Sequence, residues 1–261
     1  MADVTYSSYL KVDELLQLQQ PLSDGPEHDE LLFIVIHQSY ELWFKSMIHE
    51  MTACQSALEA NDLHRALALV GRVRTIMKTL VSKVDILETM TPLQFNSFRD
   101  RLESSSGFQS GEFRVIEAML GRRDGSHLGM FEDGSPMRTA IAEAMSRSTV
   151  WDGVLTLMAS RGHAVPTDVL SRDRSAAYEP DERVQAVVEH AYRTDAELSL
   201  LFERFVDLDE GLQEWRYRHV KMVERTIGTK LGTGGSPGRD YLVSTIFKPV
   251  FPDLWAVRNR F

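Results

Sequence analysis

Apolar residues recur at spacings of three and four along most of this chain, and that periodicity constrains the fold more than any other feature. The clearest repeat runs from Leu63 to Leu87 and predicts an amphipathic helix. It is made by Ala66, Leu69, Val70, Val73, Ile76, Met77, Leu80 and Val84. No clear run of alternating β-branched residues bounded by hairpin turns accompanies it. The sequence therefore predicts an all-α fold.

Further helices follow from the same pattern. The segment from Leu31 to Ile48 is apolar on nearly all sides, as in a buried central helix. Thr91-Pro92-Leu93-Gln94 has the form of a capping box with proline at the first helical position. The remaining predicted helices are Glu112 to Leu120, stopping at Gly121, then Val184 to Phe205 and Leu212 to Ile227.

Two segments in the middle of the chain, Arg122 to Pro136 and Arg161 to Pro180, are rich in Gly, Pro, Asp and Ser. That composition indicates loops or short insertions. We therefore expect one all-α domain over 1–261, with about 122–180 forming a small peripheral helical insertion.

Composition excludes several classes of protein. The formal net charge is −9 over 261 residues, which argues against binding to nucleic acid or to an anionic membrane. Cys54 is the single cysteine, so an intrachain disulfide is excluded. The apolar run from Leu31 to Ile36 is too short to span a bilayer, and no signal peptide is visible. We expect a cytoplasmic protein.

His37 is the first candidate functional residue. It shares a helix face with Phe33, Tyr40 and Phe44. One interpretation is a core histidine that donates to a backbone carbonyl. The other is a ligand or general base in an apolar pocket, where the neutral imidazole is favoured.

Arg99 interrupts an apolar stripe formed by Phe95, Phe98 and Leu102. Burying a guanidinium without an anion is costly. It either extends outward to a local carboxylate or clamps a ligand carboxylate with two hydrogen bonds.

His219 shares a face with Trp215, Met222 and Thr226, just before the glycine-rich loop Gly232 to Gly238. A structural core histidine and a metal ligand both fit that position. Its neighbours Arg216 and Arg218 suit surface salt bridges or cofactor carboxylates. The loop matches neither the Walker pattern nor the dinucleotide pattern.

The absence of several known site motifs reduces the number of possible cofactors but does not identify one. The sequence contains no His-Glu-x-x-His and no Glu-x-x-His. Gly234 to Gly238 has the letters of Gly-x-Ser-x-Gly, but it follows a predicted helix and not the strand that a nucleophile elbow needs. A haem remains permitted, because it needs only one or two side-chain ligands. Function is still open at this point.

Several long segments, taken together, resemble the bacterial tryptophan 2,3-dioxygenase family. They occur in the family's order with compatible spacing, and about 122–180 matches least. The matching segments are Phe33–Trp43, Leu87–Pro92, Phe95–Arg99, Ser106–Ser110, Trp215–Gly228, Gly232–Gly238 and Phe251–Trp255.

The resemblance implies an all-helical homotetramer that binds one haem b per subunit and cleaves L-tryptophan with O2. It implies no nucleic-acid or membrane partner. His219 matches the axial ligand of the haem iron, and His37 matches the catalytic residue that hydrogen-bonds the indole N–H, whether or not it also acts as a base. Arg99 matches the carboxylate partner.

The resemblance extends to further binding residues. Those expected to contact haem are Ser106, Gly107 and Trp215. Those expected to contact substrate are Phe33, Ile34, Val35, Ile36, Phe95 and Thr233. Tyr6, Tyr9 and Leu10 match an N-terminal segment, 1–20, that reaches into a neighbouring subunit's site.

Two positions depart from the pattern. Phe95 stands where bacterial relatives carry tyrosine, and Pro237 stands where the family usually has serine. The rivals from other classes are a haem-binding sensor or carrier and a cofactor-free helical interaction protein; within enzymes, the rival is a dioxygenase with a broader indole substrate.

Overall fold

A computed structural model describes residues 3–25, 27–230, 232 and 238–261, with only the backbone of 238, 240 and 241. Every regular element in those ranges is helical, which confirms the predicted all-α class. The α-helices are α1 (Tyr6–Leu10), α2 (Val12–Leu15), α3 (His28–Glu59), α4 (Leu63–Leu87), α5 (Pro92–Phe98), α6 (Gly111–Met119), α7 (Pro136–Ser146), α8 (Val150–Ser160), α9 (Thr167–Leu170), α10 (Glu182–Thr194), α11 (Ala196–Ile227), α12 (Gly238–Thr245) and α13 (Pro252–Ala256). Short 3₁₀ helices cover Arg99–Leu102, Gly107–Gln109, Gly125–Met130 and Val257–Arg260.

Three long helices form the centre of the molecule. Helix α4 packs against both α3 and α11, and α6 and α8 pack against α3. Leu58, Leu80 and Leu201 are among the fully buried side chains between them. Burying a leucine of this kind contributes about 1.5–3 kcal/mol. The apolar repeat from Leu63 to Leu87 is thus the face of α4 that binds the other two helices.

Helix α3 is less completely covered than its sequence predicts. Tyr40, Phe44 and Met47 are buried, but Leu42 and Trp43 remain 54% and 38% exposed. The prediction of burial on nearly all sides is therefore wrong for one face, because no other element of the described chain covers it. Although α3 and α11 each have 32 residues, no described helix has the length and apolar character needed to cross a bilayer.

The helix break predicted between Phe205 and Leu212 lies instead at Asp195. Its side chain accepts hydrogen bonds from the backbone N–H groups of Glu197 and Leu198, which caps α11. Gly211 does not end the helix: a Cβ there would approach Met77 Cγ to 3.1 Å. The glycine instead permits close contact between α11 and α4.

The segment about 122–180, which we expected to be peripheral, contains α7, α8 and α9. Helix α8 lies in the main core, with Trp151, Val154 and Leu157 buried. Its close contact with α3 uses Gly153, whose Cβ would lie 3.2 Å from Leu58 Cδ1. The apolar residues of α8 therefore belong to the central packing.

Two buried carboxylates attach the C-terminal segment. Asp209 on α11 accepts from the backbone N–H groups of Val250 and Phe251 and from Trp255 Nε1, at 2.9–3.0 Å. Asp253 accepts from the Tyr178 hydroxyl and from Gln185 Nε2. These bonds hold the segment that follows α12 against α10 and α11.

Candidate active site

A large cavity opens among α3, α5, α6, α11 and α12. It encloses about 1280 Å³, including its open mouth. Its wall is mainly apolar, with polar groups concentrated at a few places, as is usual for a small-molecule site. The apolar lining includes Leu87, Met90, Phe108, Phe113, Val223, Ile227 and Leu242.

Candidate residues from separate parts of the chain line this one cavity. They are Phe33, His37, Phe95, Arg99, Ser106, Gly107, Trp215 and His219. The structure thereby joins segments that lie up to about 190 positions apart in the chain. This convergence is the property expected of a ligand site.

Other candidates lie elsewhere. On α3, Ile34 is half-buried, Val35 is exposed and Ile36 belongs to the core. Tyr6, Tyr9 and Leu10 lie exposed on α1 and are not among the residues that line the cavity of their own chain. Thr233 and Pro237 lie outside the described residues, although Gly232 borders the cavity.

The helix around His37 determines which ring nitrogen carries its proton. Nδ1 lies 2.7 Å from the carbonyl oxygen of Phe33, one turn earlier. Because a carbonyl oxygen only accepts, Nδ1 must donate, and Nε2 keeps a lone pair. The exposed surface of the side chain borders the cavity, yet burial by surrounding protein lowers the pKa of His37 below 6.5.

His219 lies on α11 without a hydrogen bond to either ring nitrogen from the described residues. Its imidazole stacks on Trp215, with ring centroids 5.2 Å apart and an interplanar angle of 19°. Burial, together with the nearby His37, lowers the pKa of His219 to about 4. The imidazole is therefore neutral near pH 7 and available to bind a metal.

Trp215 is itself fixed by aromatic neighbours. Phe113 lies 5.0 Å away and Tyr40 lies 6.4 Å away between ring centroids. Burial raises the pKa of Tyr40 to about 12, and the Trp215 indole opposes that rise. The indole N–H lies close enough to affect the pKa of Tyr40, although it forms no hydrogen bond of ordinary geometry in the described structure. Instead, the Tyr40 hydroxyl donates to the Leu80 carbonyl at 2.7 Å.

A cluster of buried charges forms one end of the cavity. Glu117 on α6 pairs with Arg114 and with Arg122, and Arg216 lies 3.7 Å from it. The Nε of Arg114 is buried without a hydrogen-bond partner in the described structure. This end of the cavity therefore suits an acidic group on a ligand.

Arg216 and Arg218 take different roles despite their proximity in sequence. Arg216 lines the cavity and donates to the carbonyls of Thr245 and Lys248. Arg218 points away and pairs with Asp85 and Glu88 on and just after α4. Of the two alternatives left open by the sequence, the salt bridge therefore applies to Arg218.

Arg99 lies in the 3₁₀ helix that directly continues α5, and it is half-buried at the cavity wall. The aromatic wall beside it joins Phe33 and Phe95, whose ring centroids are 5.9 Å apart. Phe98, expected on the same stripe, is fully buried behind them at 5.5 Å from Phe95. A cation thus lies next to an apolar aromatic wall.

Sequence reasoning missed Arg114 and Glu117. Both lie on α6 among buried apolar residues, so charged groups there resemble the interruption that identified Arg99. The same argument applied to the segment from Glu112 to Leu120 would have found them. The sequence around Thr245 contains no charged residue on an apolar face. Its place at the cavity wall depends on how the C-terminal segment folds.

The fold and the cavity define a class: a helical ligand-binding protein with two histidines, an arginine beside an aromatic wall and a charged end in one apolar chamber. Comparison with known proteins identifies the family within that class. The family model described as tryptophan 2,3-dioxygenase matches residues 1–133 and 185–261. The chain belongs to the tryptophan 2,3-dioxygenase family.

Similar proteins cover almost the whole chain. A protein of Anaeromyxobacter sp. (strain K), named tryptophan 2,3-dioxygenase, is 56% identical over 258 residues, covering 99% of this chain and 96% of its own. Proteins with that name from Herpetosiphon aurantiacus and Caulobacter vibrioides are 53% and 43% identical. They cover 98% and 99% of this chain, and 97% and 98% of their own lengths.

Proposed function

We propose that this chain is a haem-dependent dioxygenase that uses His219 as the iron ligand and His37 and Arg99 to hold L-tryptophan. Family membership makes it an oxidoreductase that cleaves the indole 2,3-bond with O2, giving N-formyl-L-kynurenine at the first step of the kynurenine pathway. The observation that supports the site assignment is the convergence of these three side chains on one cavity.

The cavity suits a haem b in size and polarity. A haem is a flat apolar ring with two acidic substituents, so it needs an apolar chamber with cationic groups at one edge. The chamber is mainly apolar, and the Arg114, Arg122 and Arg216 guanidiniums lie around Glu117 at one end. The unpaired Arg114 Nε is a donor that an acidic substituent would satisfy.

His219 would hold the iron, with Trp215, Ser106 and Gly107 contacting the macrocycle. A neutral imidazole is the form that ligates a metal, and burial keeps His219 neutral. When bound, a ferrous haem supplies the chemistry that activates O2. Both oxygen atoms enter the product, so the net reaction consumes no external reductant.

Arg99 and the aromatic wall would hold the substrate. The guanidinium offers a planar set of donors that matches the tryptophan carboxylate. Phe33 and Phe95, whose rings are tilted by 43° to each other, provide an apolar surface for the indole. Fixing both ends of the substrate presents carbons 2 and 3 of the indole in one orientation, which lowers the entropic part of the barrier.

His37 would accept a hydrogen bond from the indole N–H. Its Nδ1 proton is engaged by the Phe33 carbonyl, so Nε2 is the free acceptor at the cavity. An N–H donor of the substrate and a lone pair of the protein are then complementary. The Phe33 backbone thus sets the tautomer that the substrate requires.

The proposal includes a homotetramer in which residues 1–20 reach a neighbouring subunit's site. Exposed Tyr6, Tyr9 and Leu10 on α1 support it, because several exposed apolar side chains on one short helix favour burial against a partner. It also includes a single domain over 1–261 and contacts of Ile34, Val35, Ile36 and Thr233 near the substrate. A cytoplasmic location stays a prediction.

The test is a turnover assay. Protein loaded with haem, reduced and supplied with O2 and L-tryptophan should accumulate the ultraviolet absorbance of N-formylkynurenine. A haem-loaded, reduced sample that forms no product would overturn the proposal. Tryptamine, which lacks the carboxylate, should be used poorly; equal kcat/KM for both substrates would exclude the proposed role of Arg99.

A further inference from the structure

The two cavity histidines are oriented by different means. Each follows an aromatic residue by one helical turn: His37 follows Phe33 and His219 follows Trp215. His37 has a 2.7 Å hydrogen bond from Nδ1 to a backbone carbonyl, and the Phe33 ring beside it is tilted by 40° with its centroid 4.1 Å away. For His219 the described structure provides ring stacking instead, at 5.2 Å and 19°.

A metal-binding imidazole usually needs an orienting contact. Its second nitrogen commonly donates to a carbonyl or carboxylate, which fixes the rotation of the ring. No described residue supplies such a contact to His219. A nearly parallel aromatic ring at this separation is a favourable offset stack, and it opposes rotation about the Cβ–Cγ bond.

Trp215 is rigid enough to transmit that constraint. Phe113 on α6 and Tyr40 on α3 pack against its indole. Tyr40 is in turn bonded to the carbonyl of Leu80 on α4. Three helices therefore determine where the indole plane lies, and the indole plane determines where the imidazole plane lies.

We propose that Trp215 is a positioning residue that orients the His219 imidazole by stacking, in place of a hydrogen bond. This inference rests on the proposed function in assigning the iron to His219. Beyond any contact with the cofactor, Trp215 thereby acts through another side chain, and this effect exists before haem binds.

The first experiment uses the haem-free protein. Nuclear relaxation of the imidazole 13C–1H groups gives an order parameter for each ring, which is high when the ring is rigid and falls when the ring is mobile. Trp215→Leu should lower the value for His219, and Trp215→Phe should largely retain it. The matched control is Phe33→Leu, which removes the aromatic neighbour of His37 but leaves its backbone hydrogen bond, so His37 should stay rigid.

The second experiment uses the ferrous haem-loaded protein. Trp215→Leu should broaden or shift the iron–histidine stretching band in resonance Raman spectra. It should also speed haem transfer to an apoglobin about three- to tenfold, the scale of one lost aromatic pair. Trp151→Leu removes a buried indole of α8 outside the cavity and should change neither the band nor the transfer rate.

Different results would overturn the positioning role of Trp215 and the proposed function. An unchanged order parameter for His219 and an unchanged iron–histidine band in Trp215→Leu would overturn the positioning role. A loss of His219 rigidity as large in Trp215→Phe as in Trp215→Leu would also overturn it, because the phenyl ring should keep the stack. A wild-type protein that binds no haem would overturn the proposed function, while the haem-free experiment would still decide whether the stack orients His219.

Discussion

At the scale of single residues, the neighbour one turn earlier determines what each cavity imidazole offers. The Phe33 carbonyl takes the Nδ1 proton of His37, so the ring presents an acceptor. His219 has no such constraint within the described residues and is instead stacked and neutral. Under the proposed assignment, one residue type at equivalent helical positions would bind a substrate in one case and a metal in the other.

The acceptor role of His37 predicts how activity depends on pH. Its pKa lies below 6.5 because of burial, so Nε2 is unprotonated at neutral pH. As the pH falls through that lowered pKa, protonation removes the acceptor, and kcat/KM for tryptophan should fall about tenfold per pH unit. We expect His37→Ala to lose this dependence; an unchanged acidic limb in that variant would contradict the assignment.

The same shift has a definite sign for stability. A histidine whose pKa is lower in the folded chain binds a proton more readily when unfolded. Its stabilising contribution is therefore present above the unfolded pKa of 6.5 and is lost as the pH falls through the folded pKa. Urea unfolding of wild type and His37→Ala across this range should show a smaller acid loss in the variant.

Separate roles for His219 and Arg99 predict separable losses. His219→Ala should lose haem or retain it weakly, because the iron has no replacement ligand. Arg99→Ala should keep its Soret absorbance and raise KM for tryptophan by about 10- to 100-fold, corresponding to a charge-assisted hydrogen bond worth about 1.5–3 kcal/mol. Equal haem content in both variants would count against the axial assignment.

The departure at Phe95 predicts a gain of function. Phe95 is half-buried at the cavity one turn before Arg99. A tyrosine hydroxyl there would reach the substrate carboxylate, and a hydrogen bond to a charge contributes about 1.5–3 kcal/mol. Phe95→Tyr should therefore lower KM for tryptophan and leave KM for tryptamine unchanged. A similar change for both substrates would attribute the effect to packing.

Sequence found His37, Arg99 and His219 because each is a polar group placed on an apolar helical face. That argument needs no tertiary information. It did not show that the three face one chamber, since they come from α3, the 3₁₀ helix after α5, and α11. Their convergence depends on packing between helices, which local periodicity does not specify.

At the scale of elements, helix caps and close contacts determine where helices begin and end, which apolar periodicity alone does not specify. The α5 start was predicted correctly, because Thr91 and Gln94 form a capping box that depends on neighbours in sequence alone. The start of α11 was predicted wrongly. It lies at the Asp195 cap, whose carboxylate also pairs with Arg161 at the distant end of α8. Gly211 lies within the predicted break, but in the structure it lies inside α11 and permits close contact with Met77 of α4.

The attachment of the C-terminal segment to α11 predicts a large stability effect at Asp209. Asp209→Ala would leave two backbone N–H groups and the Trp255 indole without their acceptor. Each unsatisfied buried donor costs about 1–3 kcal/mol, so the free energy of unfolding should fall by about 3–5 kcal/mol. Asp209→Asn keeps one acceptor oxygen and should lose less; equal losses in urea unfolding would contradict this account.

At the scale of the whole molecule, the described chain leaves two groups of apolar side chains exposed, one on α1 and one on α3. Apolar side chains of α1 and of one face of α3 are exposed, including Tyr6, Tyr9, Leu42 and Trp43. Exposed groups of this number are typical of surfaces that bind another protein. Sequence periodicity suggested a buried α3, and a partner covering this face would satisfy both the sequence pattern and the structure.

Assembly through residues 1–20 gives the last prediction. Tyr6 and Tyr9 are 76% and 77% exposed and do not line the cavity of their own chain, so their contribution to catalysis requires a neighbouring subunit. Removing residues 1–20 should reduce the number of subunits per particle, as measured by light scattering, and raise KM for tryptophan, with haem content unchanged. The control is Leu200→Ser, which replaces an exposed leucine of α11 outside this segment. A truncated protein that keeps both its subunit number and its KM would refute the assembly. A smaller subunit number with an unchanged KM would refute the contribution to the site.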